Sequence, residues 1–261
     1  GIPDYRGEKG TYVRNPKHRP IMYQEFISSE EFRRRYWARG FIGWSDMVQA
    51  VPNPSHYSLT TLLKKGYIKN IITQNVDSLH HFAGTPKDHL IELHGSLYNV
   101  ECLECRHKED RRSYQHRLID CNPIWADYQQ QMLSKGEKPK INPDGDVQLD
   151  NSISYEEFTV PPCTNCHSSL MKPQVVFFGE NIPKSIHEAA DKMVQEVDAI
   201  VVIGSSLATY SSYRLVKLAH QLEKPIGLLT KGNSRADDIQ SWKASVYCLP
   251  VLQRVVSNLI D

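Results

Sequence analysis

Short apolar runs alternate along this chain with longer stretches in which apolar residues return every three or four positions. Ile68 to Thr73 is a brief β-branched run closed by Gln74-Asn75-Val76-Asp77, as expected of a buried parallel strand handing over to a loop. Asp198 to Ile203, ended by Gly204, and Pro225 to Thr230 repeat that pattern, and Lys172 to Phe178 reads as a further buried strand ended by Gly179. Helical stretches lie between them. Glu30 to Val48 carries Phe32, Tyr36, Trp37, Phe41 and Trp44 at helical spacing, and Asn53-Pro54 caps a helix that Gly66 ends. Ile186 to Val197 and Tyr213 to Glu223 complete the set. Strands alternating with helices predict an α/β chain with a Rossmann-like doubly wound parallel sheet.

The alternation breaks off after His94. Cys102-Leu103-Glu104-Cys105 and Cys163-Thr164-Asn165-Cys166 each place two thiolates on a tight knuckle, and two knuckles make a tetrahedral sulfur site of the kind zinc prefers. A redox dithiol is the competing reading of each pair. Four thiolates leave no open coordination position, so a zinc ion here is structural and activates no water. His107 and His167 lie beside the pairs as alternative ligands. Between the pairs, Trp125 to Leu133 predicts a short helix, and Lys135 to Asp146, with Gly136, Pro139, Pro143 and Gly145, a loop. The expected organisation is a first Rossmann-like part over 1–95, a small inserted zinc-binding module over 96–171 and a second Rossmann-like part over 172–261.

Composition narrows the partners. A chain of 261 residues, 40% of them hydrophobic, can bury a sizeable core. A formal net charge of +1 leaves no basic excess for a phosphate backbone, which argues against nucleic acid. No apolar run approaches the roughly 18–20 residues needed to cross a bilayer, so no membrane partner is expected. Six cysteines, four of them in tight pairs, suit a reducing compartment better than a disulfide framework.

Candidate chemistry gathers at the strand ends, where open α/β sheets bind ligands. Gln74-Asn75-x-Asp77 offers donors and acceptors suited to a ribose, a carboxamide or a held water. His94 can carry a proton near neutral pH, and Gly95 lets a ligand approach the backbone. Spacing alone does not rank His94 above His80 or His81. Gly204-Ser205-Ser206 after a strand forms a phosphate or ribose cradle, a weak signal by itself, and no G-x-G-x-x-G fingerprint occurs. Tyr36 and Arg39 share a helix face. They read either as a core aromatic beside a surface arginine or as a phenol and guanidinium suited to a carboxylate.

Taken in order, Gly1-Ile2-Pro3-Asp4-Tyr5-Arg6, Thr73-Gln74-Asn75-Val76-Asp77, Leu93-His94-Gly95, the two cysteine pairs, Val176-Phe177-Phe178-Gly179-Glu180 and Gly204-Ser205-Ser206-Leu207 resemble the sirtuins over essentially the whole chain. Tyr36-Trp37-Ala38-Arg39 and the long segment between the cysteine pairs look most like the mitochondrial sirtuin-4 type. The resemblance implies an NAD-dependent protein-lysine deacylase that moves the acyl group to ADP-ribose and releases nicotinamide. In it His94 takes a proton from a ribose hydroxyl, Gln74 and Asn75 hold the ribose and a water, and Asp77 holds the nicotinamide carboxamide.

By the same resemblance Pro3, Asp4, Tyr5 and Arg6 form the cofactor loop, with Tyr5 where the family usually has Phe. Gly204, Ser205 and Ser206 meet the phosphate and ribose side of the cofactor, and Thr230 stands where Asn is usual on the adenosine ribose. Val176 and Phe178 belong to the segment that pairs with the substrate peptide and lines the lysine tunnel, while Tyr36 and Arg39 face an acidic, glutaryl-type acyl end. The resemblance further implies an acylated lysine as substrate, one structural zinc, a monomer and the mitochondrial matrix. ADP-ribosyl transfer to protein, lipoamide hydrolysis, and a zinc-stapled binding module without turnover stand beside deacylation. Sirtuins carry a strand and a Gly-Ala-Gly phosphate loop before the point where these residues begin, so the natural chain is expected to begin some tens of residues earlier.

Overall fold

The structure is a computed structural model that describes residues 2–8, 10–16, 18–136, 141–147 and 154–260. Gly1 and Pro139 lie outside the described residues. In chain order the elements are α1 (Thr11–Arg14), α2 (Tyr23–Ser28), α3 (Glu30–Gln49), α4 (Pro54–Lys64), β1 (Ile71–Thr73), α5 (Leu79–Phe82), β2 (Leu90–Glu92), β3 (Gly95–Cys102) and β4 (Lys108–Asp110). There follow α6 (Arg111–Cys121), α7 (Pro123–Ser134), β5 (Met171–Val175), α8 (Lys184–Gln195), β6 (Ile200–Ile203), α9 (Tyr210–Gln221), β7 (Ile226–Leu229), β8 (Trp242–Ala244) and α10 (Cys248–Ile260). None of the described helices is long and apolar enough to cross a membrane.

Two compact units are built from interleaved segments, where the sequence divided the chain at 95/96 and 171/172. One holds Gly1–Ala50, Asn75–Ser78 and His94–Asn181, the other Val51–Gln74, Leu79–Leu93 and Ile182–Asp261. The second carries the parallel strands. β1 pairs with β2 from Ile71↔Leu90 to Thr73↔Glu92, and Leu93 N–H extends the ladder to the Thr73 carbonyl at 2.8 Å. β6, β7 and β8 form a second parallel ladder, with Ile200↔Ile226 and Leu229↔Ala244 marking its ends. All four residues of β7 are buried, as the central strand of a covered parallel sheet must be. The apolar stripes of α8 (Ala190, Val194) and α9 (Leu215, Val216, Ala219) close on Ile91, Leu93, Ile226 and Leu228 in one core. The Asn53 side chain accepts from the Ser55 and His56 N–H groups and starts α4, with Pro54 at its first position. Leu63 of that helix packs on Ile71 and Leu90.

The first unit is antiparallel. β3 lies between β4 and β5, with Val100↔Glu109 on one side and Cys102↔Met171 on the other. Its core is seeded by α3, which buries Trp37, Phe41 and Ile42 against Tyr114, Leu118, Trp125, Phe158 and Met171. Each such side chain contributes roughly 1.5–3 kcal/mol by leaving water. Their polar atoms are satisfied: Trp37 Nε1 donates to the Met171 carbonyl at 2.8 Å and the Tyr114 hydroxyl to that of Pro161 at 2.8 Å. Arg111 is buried at the start of α6, 4.7 Å over the Trp44 ring, and donates to Gln115 Oε1 at 2.6 Å. Burial lowers its pKa to about 10.

Candidate active site and metal centre

In the second unit, residues just past three strand ends carry the candidate cofactor chemistry. Gln74 follows β1, and its Nε2 donates to Ser205 Oγ at 2.8 Å while its Oε1 accepts from Thr209 Oγ1 at 3.1 Å. Ser205 follows β6 and also accepts from the Leu207 N–H at 3.1 Å. Between β6 and this loop Gly204 takes φ 63°, a left-handed turn that a glycine makes without strain. Ser206 O accepts from the Arg235 N–H at 2.9 Å. Thr230 follows β7, is buried, and donates its N–H to the Ala244 carbonyl at 3.2 Å. Gln74, Gly204, Ser205 and Thr230 thus stand on the carboxyl edge of parallel strands, where this class of sheet binds ligands.

The first unit holds the rest. Asn75-Val76-Asp77 is laced to the start of β3: the Val76 carbonyl accepts from Leu97 N–H at 2.9 Å, and Ser78 Oγ lies 2.8 Å from Ser96 Oγ. Ser78 takes φ 54° to make this turn, and Asp77 is buried. His94, immediately before β3, accepts from the Val176 N–H at 2.8 Å through its carbonyl. Gly95 has φ 78°, and a Cβ there would lie 1.9 Å from the Gln174 carbonyl oxygen. One junction therefore assembles His94, the 75–77 loop and Val176.

Phe178, half exposed, accepts from Tyr23 N–H at 2.9 Å. In the amino-terminal loop, which includes Pro3, the Asp4 side chain accepts from Gly7 N–H at 2.9 Å and its carbonyl from Thr11 N–H at 2.9 Å. Tyr5 stacks near Tyr12 at 6.0 Å, and the exposed Arg6 lies 4.9 Å over the Tyr12 ring. Burial, then Asp144, pushes the Tyr5 phenol well above its ordinary pKa.

Tyr36 packs its ring on Phe177 at 5.0 Å and on Phe26 at 5.6 Å, and burial holds its phenol protonated at any ordinary pH. Arg39 is buried, with Nη2 2.5 Å from Asp146 Oδ2 and Nε donating to the Val147 carbonyl at 2.7 Å. Asp146 is itself pushed up to about 7 by burial and by Asp144, against the pull of Arg39. Asn142, Asp144 and Asp146, an ordinary polar turn in the sequence, are the residues that sequence reasoning passed over; the alternation of Asx residues with Pro143 and Gly145 signals a tight turn and nothing more.

The cysteines meet. All four sulfurs lie within 4.8 Å of one another, with Cys102 to Cys166 and Cys105 to Cys163 both at 3.6 Å. Zinc–sulfur bonds of about 2.3 Å in a tetrahedron require sulfur–sulfur edges of about 3.8 Å, so the donor set fits that ion. Each knuckle is closed alike: Arg106 N–H donates to the Cys102 carbonyl and His167 N–H to that of Cys163, both at 3.0 Å, with φ 63° and 59° at those residues. Donors from Asn165 and His107 lower the Cys105 thiol, while the neighbouring sulfurs, Cys105 first, raise that of Cys166 against the pull of the Ser168 N–H, so the four sulfurs share protons until a metal takes them as thiolates. His107 Nε2 lies 3.2 Å from Thr164 Oγ1 and neither it nor His167 joins the cluster.

A family model described as the Sir2 family matches residues 1–211. The chain belongs to the Sir2 family. Among its curated relatives, the NAD-dependent protein deacylase SIR4 of Batrachochytrium dendrobatidis is 41% identical over 99% of this chain and 85% of its own length. The NAD-dependent protein deacylase Sirt4 of Drosophila melanogaster is 38% identical over 98% and 78%. Among solved structures, a Sir2 variant with a deacetylated p53 peptide and 3'-O-acetyl ADP ribose superposes with a TM-score of 0.72 at 26% identity, over 99% of this chain and 87% of that one. Sir2 with a p53 peptide and NAD+ gives 0.67 at 26%, over 99% and 87%. This Sir2 chain therefore has the Rossmann-like α/β fold with its parallel strands and a four-cysteine cluster in a separate unit.

Proposed function

We propose that this Sir2-family chain is an NAD-dependent protein-lysine deacylase. The observation that carries the reading is the junction in the first unit, where His94 is bonded through its backbone to Val176 and the Asn75–Asp77 loop is tied to the next residues of β3. The names of the relatives, deacylases dependent on NAD, support it. NAD, when bound, supplies the ribose that loses nicotinamide and accepts the acyl group. His94 serves as the base that takes a proton from a ribose hydroxyl, the side-chain type whose ordinary pKa lies near the operating pH. Asn75 and Gln74 hold ribose and water, Asp77 accepts from the carboxamide, and Gly204, Ser205, Ser206 and Thr230 serve the phosphate and adenosine side. Pro3, Asp4, Tyr5 and Arg6 cover the cofactor.

Val176 and Phe178 present backbone to an extended peptide carrying the acyl-lysine, by strand addition. Cys102, Cys105, Cys163 and Cys166 hold one structural zinc, since four thiolates close the coordination shell. Tyr36 and Arg39 read the acyl end, although the guanidinium already holds a carboxylate of its own chain. The enzyme acts as a monomer in the mitochondrial matrix.

The test is release of nicotinamide from NAD by the full chain across a panel of acyl-lysine peptides, with products separated by mass. Free lysine and an acylated ADP-ribose are expected, and His94→Tyr should slow deacylation by about 100-fold or more, the usual worth of a positioned base. Labelled protein in place of freed lysine would establish ADP-ribosyl transfer instead. Activity untouched by the substitution would leave a binding module.

A further inference from the structure

Lys172 puts a charge where a strand core is expected. It is the second residue of β5, 4% exposed, within the buried run Met171, Lys172 and Pro173. A lysine that only opened a strand would keep its ammonium in water. This side chain instead runs forward along its own strand. Its Nζ donates to the Val175 carbonyl at 2.5 Å and to the Pro173 carbonyl at 3.3 Å, and it meets Glu180 Oε2 at 2.9 Å. Three N–H donors thus find three acceptors. The Phe177 ring covers the charge at 4.7 Å. Burial lowers the pKa of the lysine, and Glu180 works against that shift.

Glu180 is tied back to the same turn. Its Oε2 also accepts from the Phe177 N–H at 2.8 Å, and its own N–H donates to the Phe177 carbonyl at 3.0 Å. Gly179, between them, takes φ 80°. The chain from Val175 to Glu180 is therefore wrapped about one ammonium. Two further bonds orient that wrap: Val176 N–H donates to the His94 carbonyl at 2.8 Å, and the Phe178 carbonyl accepts from Tyr23 N–H at 2.9 Å. Among the described residues, the hydrogen bonds of Lys172 all go to residues 173–180. The charge shapes this one segment and does not join distant elements.

That segment is the one read as receiving the substrate peptide. Strand addition takes its affinity from main-chain bonds, so the receiving backbone has to be extended and fixed. Order present beforehand does not have to be created during binding. A buried ammonium and carboxylate are costly to part, which makes the pair a firm support for the turn.

We propose that Lys172 is a positioning residue for the substrate: its ammonium, with Glu180, holds the segment around Val176 and Phe178 in the form that receives the backbone on either side of the acyl-lysine. This rests on the deacylase reading and on its strand addition. Lys172 acts through the backbone and takes no part in bond making.

The test compares two substrates, a decapeptide with a central butyryl-lysine and the single residue Nα-acetyl-Nε-butyryl-lysine amide, which lacks the flanking backbone. Turnover of both by the full chain with NAD gives a ratio of kcat/KM values from which the folded fraction cancels. Lys172→Met keeps the length and removes the charge. Glu180→Gln keeps an oxygen for the Phe177 N–H and removes the ionic partner; it is the milder change and carries the test where Lys172→Met yields no folded protein. Each should lower the decapeptide-to-single-residue ratio about 5- to 20-fold, as when one more residue must be ordered on binding. The loss should lie in KM for the decapeptide, with kcat within about twofold. The double variant should be no worse than Lys172→Met alone, because the two groups act as one unit. A lysine that only supports the fold would slow both substrates alike, and such an unchanged ratio would overturn the proposal while leaving the deacylase reading intact. Equal kcat/KM for the two substrates in the parent would remove strand addition and the proposal with it. Turnover of neither substrate by the parent would remove the deacylase reading as well.

Discussion

A methyl group on Gly95 has nowhere to go. The residue sits at φ 78°, and the Gln174 carbonyl oxygen lies 1.9 Å from where a Cβ would project. Gly95→Ala must open the contact between β3 and β5 and adopt a strained backbone, at a cost of about 2–4 kcal/mol. Thermal melts should show the midpoint lowered by roughly 6–12 °C, with deacylation falling further than stability because His94 is the preceding residue. His80 makes a different case at the same scale. It is buried, stands 4.8 Å from the His56 ring, and its Nδ1 has no hydrogen-bond partner among the described residues. Burial, then His56 and His81, lowers its pKa to about 4. A histidine whose folded pKa lies below its unfolded value of about 6.5 supports the fold fully above that value and withdraws support as pH falls toward 4. His80→Phe keeps a ring against His56 and removes the titration. Denaturant unfolding at pH 7.5 and 5.0 should therefore show the variant losing about 2 kcal/mol less than the parent between those conditions, and equal losses would assign the acid sensitivity elsewhere.

At the scale of elements, the sequence speaks clearly where a local signal and a long-range demand coincide. Asn53-Pro54 announces the start of α4 and Gly66 its end, and both hold. The stripe of α8 is legible because Ala190 and Val194 repeat at helical spacing in a polar segment. β1, predicted from Ile68, pairs only from Ile71 to Thr73, because pairing depends on the length of β2, which hydropathy near residue 70 does not encode. α6 went unseen. It buries only Tyr114 and Leu118 of its apolar residues and fills the rest of its inner face with Arg111 and Gln115, whose partners, Gly40 and Phe41 carbonyls, belong to α3. α10 hides behind Pro250, which sits in its first turn where proline is tolerated. The site follows the same rule. The two cysteine pairs were legible because a chelate needs a fixed local spacing. Asp146 was not, because its partner is Arg39, far away in sequence.

Across the whole molecule, chain order and spatial membership diverge. Gln74 and Asn75 are adjacent in sequence, yet one groups with the parallel strands and the other with the antiparallel unit. The four cysteines belong wholly to the latter, where Cys102 ends β3 and pairs with Met171 of β5, the two strands whose opposite ends carry Gly95 and Val175. A metal held there would secure β3 and β5 at one end while His94 waits at the other. Stripping it with a thiol-competing chelator should remove free energy from the antiparallel unit, since metal binding by four thiolates is coupled to folding. Hydrogen exchange resolves where that loss falls. Amides of Val100, Cys102 and Met171 should exchange faster by about tenfold or more, while those of Leu228 and Leu229, in the ladder of β6, β7 and β8, keep their protection. Deacylation should fall in step with the β3 amides, because the loss reaches His94 along the strand that follows it. Equal acceleration in both ladders would instead show the two units opening as one cooperative body, and unchanged exchange in β3 would mean that the sulfur cluster does not support the strand.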